Sequence, residues 1–279
     1  MERWKSLVQM ADSYLAQERF TEAELLLSEA VDEARSVDLD DKDFIVLLQN
    51  LTRAVRPLDP ARARTLDDEL LKAVREGDTC TQVDEEEVML FIIGSRREFE
   101  PHMAPPERQK LLKMAISVVH MVRDAHGDIS VETARAIYEV ASLLLSIGKI
   151  DLAVRALRQS LRQAVLADAR HPLRLQIQVR LAEALLLDGG MEEARTLLLD
   201  ALERRDVTRR ERPQLVDKKG RVTNLYLLAK TAAIQGDVDE ARDLAQKAMT
   251  LEKARAPQSG LLKEIQDFMG EDVTSLDVQ

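Results

Sequence analysis

Apolar residues recur at intervals of three and four along nearly the whole chain, as at Leu7, Met10, Ala11, Tyr14 and Leu15, then at Ala23, Leu26, Leu27, Ala30 and Val31. That period puts them on one stripe of an α-helix, so each stretch reads as an amphipathic helix. The interruption between them, Gln17-Glu-Arg-Phe20-Thr, is short, and a connection of that length makes the two helices run antiparallel as one hairpin.

The arrangement returns three more times. Ile137, Val140, Ala141 and Leu144 lead through Gly148-Lys-Ile-Asp into Ala153, Leu157 and Leu161. Leu181, Ala182 and Leu185 lead through Gly189-Gly190-Met-Glu-Glu into Ala194, Leu198 and Ala201. Leu225, Leu228, Ala229 and Ala232 lead through Gly236-Asp-Val-Asp-Glu-Ala241 into Ala245 and Ala248. In each copy a first-helix alanine (Ala11, Ala141, Ala182, Ala229) precedes a second-helix alanine (Ala23, Ala153, Ala194, Ala241) by twelve residues. Small side chains at both positions let paired helices approach closely, and a glycine before the turn accepts the left-handed backbone that ends a helix.

Between the first and second copies the signal weakens. Leu47, Leu51 and Ala54, then Pro57-Leu-Asp-Pro60, then Ala63, Leu66, Leu70 and Val74 read as a hairpin without its glycine. Residues 84 to 99 and 105 to 125, split at Glu100-Pro-His-Met-Ala-Pro-Pro106, read as another, with proline tolerated at the helix start. The count is about six hairpins over residues 1–254, the middle pair degenerate. A capping helix follows within 255–270, and residues 271–279 read as a frayed acidic tail.

These spacings resemble the tetratricopeptide repeat, whose pattern is recorded for a unit of roughly 34 residues. Leu7, Met10, Ala11 and Tyr14 with Ala23, Leu27 and Ala30 match in outline, and Gly236 to Ala241 matches closely. Alanine replaces the first-helix glycine throughout, the terminal proline is missing, and the second-helix alanines of the last three copies stand 41 and 47 residues apart. Such long repeats resemble those of kinesin light chain and of bacterial scaffold and sensor proteins. The resemblance implies an all-α, right-handed superhelical solenoid of stacked antiparallel hairpins. It also implies ligand binding on a concave face lined by first helices.

By that resemblance the groove-facing residues include Lys5, Val8 and Asp12; Arg135, Tyr138 and Ser142; Gln176, Val179 and Glu183; and Thr223, Tyr226 and Lys230. Among them Arg135, Tyr138, Ser142, Gln176, Tyr226 and Lys230 are the expected partner contacts, since Tyr and Arg offer area and hydrogen bonds with few torsions to freeze. The Lys and Asn constellation with which some family members clamp a terminal carboxylate does not appear at these positions, which argues against a chaperone-tail adaptor.

Composition and charge narrow the function. Aromatics are 3%, and 10 Gly with 8 Pro in 279 residues cannot punctuate many short strands. A formal charge of -10 opposes broad binding to nucleic-acid backbones. The longest apolar run, Val88 to Ile93, is far short of the roughly 20 residues that span a bilayer as a helix. No apolar leader follows Met1, and Cys80 is the single cysteine, flanked by Asp78 and by Asp84 to Glu87, which disfavour a thiolate. A reducing, cytoplasmic setting is expected.

No nucleophile motif, phosphate-binding glycine loop or HExxH sequence is present, and His102, His120, His126 and His171 lack metal-site spacing. Neither a cofactor nor a metal is expected, and the chain does not read as an enzyme. The acidic runs Asp38 to Asp43 and Asp84 to Glu87 read as helix caps. One basic segment stands out: Arg204, Arg205, Arg209, Arg210, Arg212, Lys218, Lys219 and Arg221 against Asp206, Glu211 and Asp217, a local charge of +5. It reads as a patch for an anionic partner, as a solvated inter-repeat loop, or as a loop neutralised by Glu271, Asp272 and Asp277. The leading expectation is an adaptor that holds a protein segment. The alternative is a signal-peptide or small-molecule sensor.

Overall fold

In a computed structural model, which describes residues 3–37, 39–100, 103–211 and 217–270, the chain is all-α. Thirteen helices occupy the described residues, with no strand. The expected tail at 271–279, His102, Asp38 and Arg212 lie outside the described residues, as does the side chain of Arg209. The chain divides into two compact units, residues 1–148 and 149–279.

Unit 1 contains α1 (Arg3–Ala16), α2 (Phe20–Ser36), α3 (Asp41–Val55), α4 (Pro60–Glu76), α5 (Gln82–Phe99), α6 (Pro105–His126) and α7 (Val131–Ser146). Each helix packs on the next, and α5 also touches α3 and α7, so first helices of successive hairpins meet one another. Unit 2 contains α8 (Ile150–Asp168), α9 (Leu173–Leu187), α10 (Met191–Glu211), α11 (Lys218–Ile234), α12 (Val238–Arg255) and α13 (Gly260–Gly270). There too each helix packs on its successor, and α9 reaches α11.

The alanines explain the closeness. Ala11, Ala23, Ala141, Ala153, Ala182, Ala194, Ala229 and Ala241 are all 0% exposed. Around them sit leucines such as Leu27, Leu157 and Leu198, also wholly buried, each stabilising by about 1.5–3 kcal/mol through removal of its side chain from water.

Helix ends follow local chemistry. Gly189 and Gly236 take φ of 81° and 83°, the left-handed conformation that closes a helix without a Cβ penalty. In the first hairpin, Glu18 takes this conformation with φ 59°. Side-chain caps start three helices of the middle region. Asp59 accepts from Ala61 and Arg62 backbone N–H ahead of α4, with Pro60 at its first position. Thr81 and Asp84 form a reciprocal capping box on α5. Asp40 likewise caps α3 by accepting from Lys42 N at 3.0 Å.

Candidate functional site

In unit 1 the expected partner contacts lie on the exposed strips of the first helices. On α1 the strip carries Lys5 and Asp12, exposed, with Val8 half-buried between them. On α3, one face goes into the core through Ile45, Leu48, Leu51, Thr52 and Val55. The opposite face shows Val46, which is 53% exposed, and Arg53 seven residues on, with Gln49 and Asn50 between them half-buried. Burial pushes the Asp12 carboxyl up, while the nearby Arg53 guanidinium pulls it down. These two charges thus lie within electrostatic reach across α1 and α3.

On α7 Arg135 is exposed, and Tyr138 one turn on is half-buried. The guanidinium of Arg97 on α5 lies over the Tyr138 ring, 5.9 Å from its centroid, and its Nε donates to Glu139 Oε2 at 3.2 Å. Gly94 leaves room for that carboxylate: a Cβ there would sit 3.3 Å from Glu139 Oε1. Ser142, expected on the same strip, is 2% exposed and lies in the packing of unit 1.

Within unit 1 the arginines divide sharply. Arg3, Arg19, Arg35, Arg56, Arg62, Arg64, Arg75, Arg96, Arg97 and Arg123 each pair with a carboxylate. Arg108 donates to the carbonyls of Ser146 and Met103. Among the described residues Arg53 and Arg135 have no carboxylate within ion-pair distance, and both stand on exposed strips of first helices. Arg53, Val46 and Gln49 escape sequence reasoning because α3 lacks the alanine pair and glycine that set the register elsewhere.

In unit 2, Gln176 on α9 is exposed, Val179 is buried, and Glu183 accepts from Arg180 at 2.6 Å. Tyr226 is only 6% exposed. Its ring packs edge-on against Phe268 of α13 at 5.7 Å, its Oη donates to the Glu264 carbonyl at 3.3 Å, and the Lys230 ammonium lies 4.6 Å from its centroid. Tyr226 is therefore an anchor for the last helix.

The basic segment is largely neutralised where it is described. Arg204 pairs with Asp200 at 2.9 Å, Arg205 with Asp217 at 2.6 Å and Arg221 with Asp206 at 2.6 Å. Burial would raise the Asp200 carboxyl, but hydrogen bonds from Arg204 and Gln178 hold it below its usual range. Arg210, Lys218 and Lys219 are exposed. No described helix is long and apolar enough to cross a membrane.

Residues 138–207 match the tetratricopeptide repeat family model. No curated protein matches the chain in sequence. Among solved structures, BtubC (BKLC) from P. vanneervenii is 13% identical with a TM-score of 0.62, covering 84% of this chain and 91% of that one. A Rap protein complexed with competence and sporulation factor is 14% identical with a TM-score of 0.60, covering 96% and 70%. The apo form of RapI is 8% identical with a TM-score of 0.56, covering 98% and 97%. At such identities the likeness is one of fold. The chain carries a tetratricopeptide repeat region at 138–207, and its fold is that of the tetratricopeptide-repeat proteins.

Proposed function

We propose that this chain is a non-catalytic scaffold that holds a segment of another protein against the exposed strips of its first helices. The contact set in unit 1 is Val8 and Asp12 on α1, Val46, Gln49 and Arg53 on α3, and Arg135 and Tyr138 on α7. The observation that carries this reading is the pair of uncommitted guanidiniums. Among the described residues of unit 1, the other arginines pair with carboxylates or, for Arg108, donate to backbone carbonyls, whereas Arg53 and Arg135 have no carboxylate within ion-pair distance. Both offer a planar fork of donors to a partner's carboxylate or backbone carbonyl. Val46 and the Tyr138 ring add apolar area beside them. A Rap protein, similar in fold, was solved with competence and sporulation factor bound, a precedent for a ligand held by this architecture.

The test begins with selection of binders from a displayed random-peptide library on the whole chain. Selected peptides are then titrated against Arg53→Ala, Arg135→Ala and Tyr138→Ala, with Arg155→Ala on α8 as control. Loss of one anchoring side chain is expected to weaken binding roughly tenfold, the equivalent of about 1.4 kcal/mol. Peptides that bind all three variants as tightly as the parent chain would place the binding surface elsewhere.

A further inference from the structure

The core of unit 1 contains a charged cluster that no binding role uses. Arg56, just past the end of α3, is 0% exposed. Its Nε donates to Ser95 Oγ at 2.7 Å, its Nη1 to Glu100 Oε1 at 2.8 Å, and its Nη2 to Asp67 Oδ1. It therefore joins α4, through Asp67, to the C-terminal end of α5, through Ser95 and Glu100. Three further charges face the cluster. Arg96 on α5 lies 3.5 Å from Glu100, Arg64 on α4 donates to Glu100 at 2.7 Å, and Glu107 on α6 pairs with Arg64 at 3.1 Å. The adjacent Phe99 packs edge-on against Phe20 of α2 at 5.6 Å, so the end of α5 is gripped by both preceding hairpins.

Within this cluster the two carboxylates are unequal. Glu100 has guanidinium partners on both oxygens, and although burial would raise it, Arg64 and Arg56 hold it below the usual range. Asp67 is 5% exposed, and its Oδ2 is buried with no hydrogen-bond partner among the described residues. A buried carboxylate oxygen without a hydrogen bond is costly as an anion, and a proton on it lowers that cost.

We propose that the Arg56 cluster is a proton-gated clasp, in which Asp67 takes up a proton to tighten α4 against α3 and α5 and releases it to loosen them. Burial raises the Asp67 carboxyl from 3.8 to about 6, with Arg56 and Arg96 pulling it down and Glu100 pushing it further up. The folded state thus binds this proton more tightly than an opened state with Asp67 in water. Opening is then harder below the folded value and easier above it. The sign is opposite to that of a carboxylate stabilised by a salt bridge.

The experiment is amide hydrogen exchange across α4 in the whole protein, corrected for intrinsic exchange rates. Protection in α4 is expected to rise roughly tenfold from about pH 7.5 to about pH 5. In Asp67→Asn, which keeps the shape and cannot titrate, that rise is expected to vanish. Protection that stays level or falls in the parent chain, or a rise that persists in Asp67→Asn, overturns the proposal. Carbon-detected titration of the Asp67 carboxyl in the parent protein decides the matter if the variant does not fold. A midpoint near 6 supports the clasp, and an ordinary aspartate midpoint defeats it.

Discussion

The ring of Tyr226 meets that of Phe268 edge-on at 5.7 Å, which fixes the last helix of unit 2 on the first helix of the hairpin before it. Edge-to-face aromatic pairs contribute about 0.5–1.5 kcal/mol beyond their burial. Phe268, Leu262 and Ile265 are the side chains by which α13 is buried. Phe268→Ala is therefore expected to destabilise unit 2 by about 3–5 kcal/mol, as aromatic truncations in cores do. Tyr226→Phe, which removes the hydroxyl and its 3.3 Å hydrogen bond to Glu264 but keeps the ring, should cost about 1 kcal/mol. Chemical denaturation of the two variants separates these outcomes. Equal losses would mean that the hydroxyl, and not the ring pair, holds α13.

Gly236 gives a backbone prediction free of packing. It takes φ 83°, and a Cβ built on it meets nothing within 4 Å. Gly236→Ala should thus cost about 1 kcal/mol through the left-handed conformation alone. Asn, which tolerates that region better, should cost less. A thermal melt in which both variants match the parent would show that the turn re-forms in another conformation.

What could be read in the sequence, and what could not, divides along the same physical line. The alanine pairs and turn glycines constrain backbone approach and backbone conformation. Those demands act locally, so the residues that meet them recur at fixed spacing and announce themselves. Tertiary side-chain commitments leave no such trace. Arg56 is one arginine among many, placed before Pro57 in what looks like an exposed turn, and only the folding back of α4 and α5 removes it from water. Glu86 and His126, 3.3 Å apart across α5 and α6, are likewise distant in the chain. Tyr226 lies on the helix its spacing predicts, but Phe268, from a helix distant in the chain, packs against its ring and only 6% of the residue remains exposed.

Asn224 tests the cost of burying an amide without partners. It is 0% exposed on α11, and neither its Oδ1 nor its Nδ2 has a hydrogen-bond partner among the described residues. Leaving buried polar atoms unsatisfied costs about 1–3 kcal/mol, whereas an apolar group of the same shape avoids that cost. Asn224→Leu is expected to stabilise unit 2 by about 1–2 kcal/mol. A drop in the denaturation midpoint would instead identify a bridging water bound by both amide atoms.

Glu252 sets the acid limit of unit 2. It is 0% exposed at the end of α12, and it accepts from Arg255 Nη2 at 2.5 Å and from Ser259 Oγ at 2.6 Å. Burial alone would raise its carboxyl, but Arg255, Ser259 and the charge of Lys219 carry it below the usual glutamate value of 4.5. A folded value below the unfolded one means that its contribution is fully present above about pH 4.5 and is lost as pH falls through the folded value. Glu252→Gln keeps the shape, donates where the carboxylate accepted, and removes the negative charge that Arg255 faces at this position. It should therefore lower stability at neutral pH while flattening the loss of stability on acidification. Parallel pH profiles for the variant and the parent protein, offset by a constant, would mean that the acid limit belongs to another carboxylate, with Asp200 the first to examine.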